Sequence, residues 1–277
     1  MADNSASDRA MWAKRSVGWL RTAPKGESPD DTQNQALISA AGVSPGEFVL
    51  DLASGGGEPA ISIALRVGSS GSVVASDFST EMLGGSRRRA STLDLTQIEP
   101  AVADMQSLPF ADNSFDAVTC KFGLMFPADR VAAASEAKRV LKPGRRVAYM
   151  VWGPHDDNPL HAVLAEAVRG YFGEPAPSAP PKRHALGANG AVSTVLEAAG
   201  FTRVKEQEFR AEREVSVGSD FWPNRIIRSN AAQMESLLAA EQAVLIQTVI
   251  DAFEPYRHGD AYRLMQHVRV GVGTAPG

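Results

Sequence analysis

The apolar residues of this chain switch period repeatedly, from short continuous runs to helical spacing. Phe48-Val49-Leu50 is a short apolar run before the acidic Asp51, the pattern of a strand buried in a parallel sheet. Residues 60–67, Ala-Ile-Ser-Ile-Ala-Leu-Arg-Val, then place apolar positions on one helical face. Ser54-Gly55-Gly56-Gly57 separates the two, and Pro59 suits a first helical turn, where a missing N–H costs nothing. The same alternation recurs. Residues 72–77 read as a second strand ending in Asp77, followed by a helix capped by Ser79 with Met82 and Leu83 on its inner side. Residues 98–103 and 115–120 read as strands, 129–140 as a helix, 141–144 as a turn and 145–152 as a fifth strand. Strands alternating with helices predict an α/β fold, a parallel sheet with helices on both faces.

The flanks are less regular. Residues 8–20 predict a helix carrying Met11, Trp12, Val17 and Trp19, and a second helix runs from a cap at Asp30 or Asp31 to a stop at Gly42. After the fifth strand come a polar loop at 153–159, a helix at 160–172 and a proline-rich stretch at 173–181 that can border a pocket. A helix at 189–199 and strand-like segments at 201–209 and 214–217 follow, then helices at 221–228 and 231–253. Val268, Val270 and Val272 alternate in a last strand over 261–273. The expected organisation is a helical lid at 1–42, a nucleotide-binding core at 43–218, a helical insertion at 219–260 and a final core strand at 261–277.

The glycine turn is where chemistry enters. Glycines there let a ligand approach the backbone at the positive end of a helix. Gly55-x-Gly57-x-x-Ala60 fits a dinucleotide fingerprint, with Asp77 some twenty residues on for a ribose. The charges disfavour NAD: Asp51 and Glu58 flank the turn, and a pyrophosphate would meet like charge at a cost on the order of several kcal/mol. A ligand with an ammonium and a sulfonium suits two carboxylates. S-adenosylmethionine (SAM) carries both, and a ribose for Asp77.

Asp51-x-Ala53-x-Gly55-x-Gly57 resembles the first motif of class I SAM-dependent methyltransferases, particularly the menaquinone and ubiquinone biosynthesis group, although that group usually has glycine at the position of Ala53. Gly57-Glu58-Pro59-Ala60, Ala103 to Phe110, the Pro-Phe-x-Asp-x-Ser-Phe-Asp run over 109–116 and Leu141-Lys142-Pro143-Gly144 share the resemblance, which covers roughly 43–152. It implies a Rossmann-like fold with an antiparallel last strand, met by 261–273, and an added helical cap. It implies that Asp104 accepts from the adenine amino group, that Met105 lies near the ring, and that Lys121 and Phe122 sit over the methionine part. The cofactor-facing set is then Asp51, Ala53, Ser54, Gly55, Gly57, Asp77, Phe78, Met82, Asp104, Met105 and Lys121.

Composition narrows the partners. Among 277 residues the hydrophobic share is 44%, the charged share 22% and the net charge −4, ordinary values for a globular protein without the basic field that holds nucleic acid. Arg87-Arg88-Arg89 reads as a solvated helix end. Cys120 is the single cysteine, which excludes an internal disulfide framework and a multi-cysteine metal site and argues against the related arsenic methyltransferases, which need several thiols; it reads as core. No metal is expected. No apolar run approaches a membrane span, and residues 1–8 lack an apolar signal core, so a cytoplasmic protein is expected.

The reaction expected is methyl transfer from SAM to a small-molecule acceptor, oxygen favoured, with carbon or nitrogen open. His155, in the loop after the fifth strand, is the candidate base, with His161 and His184 behind it. The rivals are a SAM-binding cyclase without methyl transfer and, behind it, an NAD-dependent oxidoreductase.

Overall fold

The computed structural model describes residues 4–21, 31–179 and 181–277. Helices α1 (Asn4–Arg21) and α2 (Thr32–Ala41) precede β1 (Phe48–Leu52), α3 (Ala60–Val67), β2 (Ser72–Asp77), α4 (Thr80–Thr92) and β3 (Ile98–Val102). The chain continues through β4 (Phe115–Lys121), α5 (Arg130–Val140), β5 (Leu141–Trp152), α6 (Pro159–Phe172) and α7 (Ala191–Ala198). It closes with β6 (Thr202–Ser216), α8 (Phe221–Glu235), α9 (Ala239–Ala252), β7 (Arg257–His258) and β8 (Ala261–Thr274). One sheet has the order β3-β2-β1-β4-β5-β8-β6, with β7 paired to β8. Neighbours from β3 to β5 are parallel, and β8 is antiparallel to both β5 and β6. The expected fold class is therefore the observed one. The last strand in sequence is not an edge strand: it lies between β5 and β6.

The sheet buries side chains on both faces, as the continuous apolar runs require. Leu50, Leu52, Val118, Val147 and Tyr149 pack with α5 and α7, while Val49, Val73, Ala75, Ala148 and Met150 pack with α2 and α3. A third core lies over the far ends of β6 and β8, which outrun the parallel strands. There α6, α8 and α9 enclose Trp222, Phe253, Tyr262, Leu264 and Val249. The N-cap of α2 is Asp31, whose side chain accepts from Asn34 N, and Gly42 ends the helix at φ 72°.

Three boundaries differ from the sequence expectation. The stretch 141–144 is the start of β5: Leu141 pairs with Phe115 before the register shifts to Arg146 opposite Ala117, so the intervening residues bulge with Gly144 at φ 75°. Residues 202–216 form one strand. The charged run Arg210-Ala211-Glu212-Arg213 stays in β6 because an edge strand leaves such side chains in water, where Arg263 of β8 meets Glu212 and Glu214. The break between the late helices falls at 236–238, and Asn230, where a break was expected, is a kink inside α8 (φ −137°, ψ 38°).

Candidate active site

The turn after β1 holds its shape by backbone conformation and two carboxylates. Ala53, Gly55 and Gly57 have φ of 52°, 55° and 101°. Glycine suits all three, so Ala53 carries left-handed strain at the position where the resembling group usually has glycine. Ser54 N donates to Ser76 O (2.9 Å) and Gly57 N to Ser54 O (2.9 Å). Asp77 then joins two elements: Oδ2 accepts from Gly55 N (2.9 Å) and Oδ1 from Ser79 N (2.9 Å). Asp77 is buried, and burial raises its pKa against those two hydrogen bonds. It is thus a structural clasp as well as the carboxylate at the sheet's ligand edge. Phe78 is half-buried beside it, and Met82 is buried under the start of α4.

Asp51 is fully buried. Thr119 Oγ1 donates to its Oδ1 (2.7 Å), while its Oδ2 and the Ser54 hydroxyl are buried without a hydrogen-bond partner. Burial pushes the Asp51 carboxyl up to about 7. A cation arriving at the turn supplies the missing favourable charge, so the orphaned acceptor fits a ligand bearing an ammonium. Glu58 is committed differently. It accepts from Arg89 (2.7 Å) and Asn34 (2.6 Å), and Arg89 also donates to Gly56 O (3.0 Å). Arg89 is therefore not part of a solvated helix end. Arg87 and Arg88 are exposed, but Arg89 falls one helical turn from Ser86 and two from Met82 on the inner face of α4. The sequence signal was that spacing, masked by two like neighbours.

Lys121, at the end of β4, donates to Asn34 Oδ1 (2.7 Å) and pairs with Asp31 (3.3 Å). Desolvation lowers its pKa, against the pull of Asp31. Its ammonium fastens α2 over the turn. Asp104 lies after β3, with Oδ1 accepting from Gln106 N (2.9 Å). A Cβ at Gly123 would lie 2.6 Å from Ala53 Cβ and 3.3 Å from Met105 Cε, so the residues after β1, β3 and β4 converge on that glycine. Cys120 is buried core, its thiol pKa raised by burial. No group of His, Cys, Asp or Glu among the described residues is placed to hold a metal.

A wall of rings leads away from the turn. Phe122 (φ 60°) stacks on Trp152 at 4.1 Å, and His161 meets Trp152 edge-on at 4.5 Å. His161 and His184 join through Nδ1 and Nε2 (3.1 Å), and His184 Nδ1 reaches Gly153 O (2.8 Å). That carbonyl fixes the tautomers: His184 donates from Nδ1 and accepts at Nε2 from His161, which leaves His161 with its lone pair on Nε2. Burial holds His161 far below the usual imidazole range, helped by Arg225 and Arg183, and pushes His184 down to about 4. His155 packs edge-on against His184 at 5.0 Å, and its Nδ1 lies 3.2 Å from Asp156. His155 and His161 line a cleft of about 150 Å³ with Arg183, Ser229, Asn230, Gln233 and, from the proline-rich stretch, Glu174 and Pro181. The three histidines thus meet in space, although the sequence placed only His155 in front. At the other side Trp12 meets Phe126 edge-on at 5.2 Å, and Arg228 lies over Trp19 at 3.3 Å, so α1 spans from α4 to α8.

A turn with inward carboxylates, an acid at the end of β2 and another after β3, in that order on this sheet, can be compared with known families. Residues 31–165 match the ubiE/COQ5 methyltransferase family. The ubiE/COQ5 match begins at the N-cap of α2 and ends in α6, so it includes every residue expected from the sequence to face the cofactor and leaves α7 to β8 outside. The ubiquinone/menaquinone biosynthesis C-methyltransferase UbiE of Cellvibrio japonicus is 40% identical over 127 residues, 43% of this chain and 49% of that protein. The uncharacterized protein Rv1405c of Mycobacterium tuberculosis is 37% identical over 152 residues, 53% of this chain and 51% of that protein. The chain spans about half the length of these curated relatives. Among solved structures, a putative methyltransferase from Bacillus halodurans shares the fold, with a TM-score of 0.59 and 20% identity, covering 89% of this chain and all of that one. Among the described residues no helix is long and apolar enough to cross a membrane.

Proposed function

We propose that the protein transfers a methyl group from SAM to a small-molecule acceptor held in the cleft between α6 and α8. The observation that carries this is the glycine turn whose Gly55 N–H is tied to Asp77, followed in order by Asp104 and Met105 inside the matched segment. When bound, SAM supplies an electrophilic methyl on a sulfonium. The chain's own residues hold and align. Asp77 accepts from the ribose hydroxyls while keeping its backbone bonds, since each carboxylate oxygen has a second lone pair. Asp51 compensates the ammonium, Asp104 takes the adenine amino group with its remaining oxygen, and Met105 covers the ring.

Methyl transfer is an in-line displacement, so most of the rate comes from aligning the acceptor and excluding water. The Phe122–Trp152 stack suits a flat apolar acceptor. Two relatives are named as C-methyltransferases acting in quinone biosynthesis, and that favours carbon over the oxygen expected from the sequence. A carbon acceptor is activated by drawing a proton from its hydroxyl. His155, on the cleft wall, takes that proton itself, while His161, held neutral and in one tautomer, only accepts a hydrogen bond from the acceptor.

Calorimetry with SAM, S-adenosylhomocysteine and NAD tests the cofactor. Micromolar binding of the first two and none of NAD is expected; tight NAD binding with no SAM binding overturns the reading. Turnover with release of S-adenosylhomocysteine separates methyl transfer from a cyclase, which returns an isomer and leaves SAM intact.

A further inference from the structure

We propose that Asn158 and His267 are positioning residues for the histidine cleft. Together they fix the loop at 153–158 to β8, and so set where His155, His161 and His184 stand. The loop begins where β5 leaves the ladder: Gly153 N still donates to His267 O (2.9 Å), one residue beyond the last β5–β8 pair. From there the Asn158 side chain takes over the pairing. Its Oδ1 accepts from His267 N (3.0 Å), and its Nδ2 donates to both His267 O (3.1 Å) and Pro154 O (2.9 Å). Asn158 is 2% exposed, so these bonds are made away from water. Its main chain reaches two of the histidines, with N donating to His155 O (3.0 Å) and O accepting from His161 N (2.8 Å). The third histidine is tied to the other end of the loop, where His184 Nδ1 donates to Gly153 O (2.8 Å).

The buried His267 ring supports the same loop from the side of β8. Its Nδ1 lies 2.7 Å from Asp157 Oδ2, and against a carboxylate oxygen Nδ1 is the donor. Nε2 has no hydrogen-bond partner among the described residues, with Glu208 3.4 Å away, so the Asp157 bond orients the ring. A Cβ at Gly153 would lie 2.8–2.9 Å from three atoms of that ring. A Cβ at Gly187 would lie 2.6 Å from both the carbonyl carbon and the oxygen of Gly153. The Gly153 peptide is therefore held between an imidazole and a second stretch of backbone, with no slack on either side. Gly187 is itself anchored: Arg269, on the same face of β8 as His267, donates to Gly187 O (2.7 Å). The confined Gly153 carbonyl is the acceptor that selects the His184 tautomer and, through it, that of His161.

The inference rests on the proposed function, in which this cleft takes the acceptor, and its test reads the rings directly. The chain has five histidines, few enough for every imidazole to be assigned in ring-nitrogen NMR spectra of the isotopically labelled full chain at neutral pH. In the native chain His161 and His184 should each show a protonated Nδ1 and a bare Nε2. Asn158→Leu removes the bridge to β8. Gly187→Ala deletes no hydrogen bond but sets a methyl against the Gly153 carbonyl. In both variants the fixed pattern should be lost, with the His161 and His184 signals moving toward those of rings that exchange tautomers. His267→Leu should do the same, whereas His267→Asn, whose amide can donate from the place of Nδ1, should restore the native pattern. Calorimetry should show S-adenosylhomocysteine affinity unchanged in all four, because the glycine turn is untouched. If Asn158→Leu does not fold, Gly187→Ala and the His267 pair decide the matter. Native His161 and His184 signals in folded Asn158→Leu or Gly187→Ala, or spectra that do not distinguish His267→Leu from His267→Asn, overturn the proposal. A native chain that binds no S-adenosylhomocysteine would instead strike the proposed function and leave the ring spectra as they are.

Discussion

At the scale of single residues, Asp51 sets a pH dependence. Its carboxyl pKa rises from 3.8 to about 7 on folding because burial outweighs the Thr119 hydrogen bond. Between those values the folded chain binds more protons than the unfolded one, so stability should fall as pH rises from about 4 to about 7 and level off above. Asp51→Asn should flatten that profile in urea denaturation series; an unchanged slope would remove Asp51 as its source. A bound ammonium favours the ionised form, so binding of S-adenosylhomocysteine should release a proton between pH 6 and 7 in the native chain and not in the variant. The glycine turn and Asp77 were legible because their roles are fixed by local backbone demands. Arg89 was not: a run of arginines in a helix reads as solvated, and only tertiary packing shows which one is enclosed.

Among the elements, the meeting of β1, β3 and β4 at Gly123 decides how the cofactor turn is supported. Gly123→Ala would set a methyl 2.6 Å from both Ala53 Cβ and Cys120 Sγ. Overpacking of this kind costs about 1–3 kcal/mol, and here it pushes directly on the strained Ala53. The variant should melt lower and bind S-adenosylhomocysteine more weakly. Ala53→Gly in the same chain removes one of the two clashing atoms and the left-handed strain, and should recover part of both losses. A fully additive double variant would show that the two positions do not communicate. The sequence marked these strands well, since glycine, proline and acidic residues punctuate each one. It misplaced the α8–α9 boundary because Ala231-Ala232-Gln233-Met234-Glu235 is good helix-forming sequence on either side of any break. The cut at 210–213 in β6 failed for a related reason: charge marks solvent exposure, and an edge strand is exposed without being a loop.

For the molecule as a whole, β8 belongs to two neighbourhoods. Its Val268–Thr274 half lies between β5 and β6 inside the Rossmann-like sheet, and its Ala261–His267 half runs on beyond β5, paired with β6 under α6, α8 and α9. More than a hundred residues separate β5 from its partner along the chain, so the loop entropy of joining them is met late. Pulse-labelled hydrogen exchange during refolding should show β1, β2 and β4 protected before β8, with Val147–Trp152 changing last among the parallel strands; simultaneous protection would refute that order. Until β8 arrives, β5 is an open hydrophobic edge able to recruit a strand from another molecule. The placement that lets one strand brace both halves of the site also makes yield on expression a contest between closing this gap and aggregation, and crowded or warm growth favours the wrong contestant.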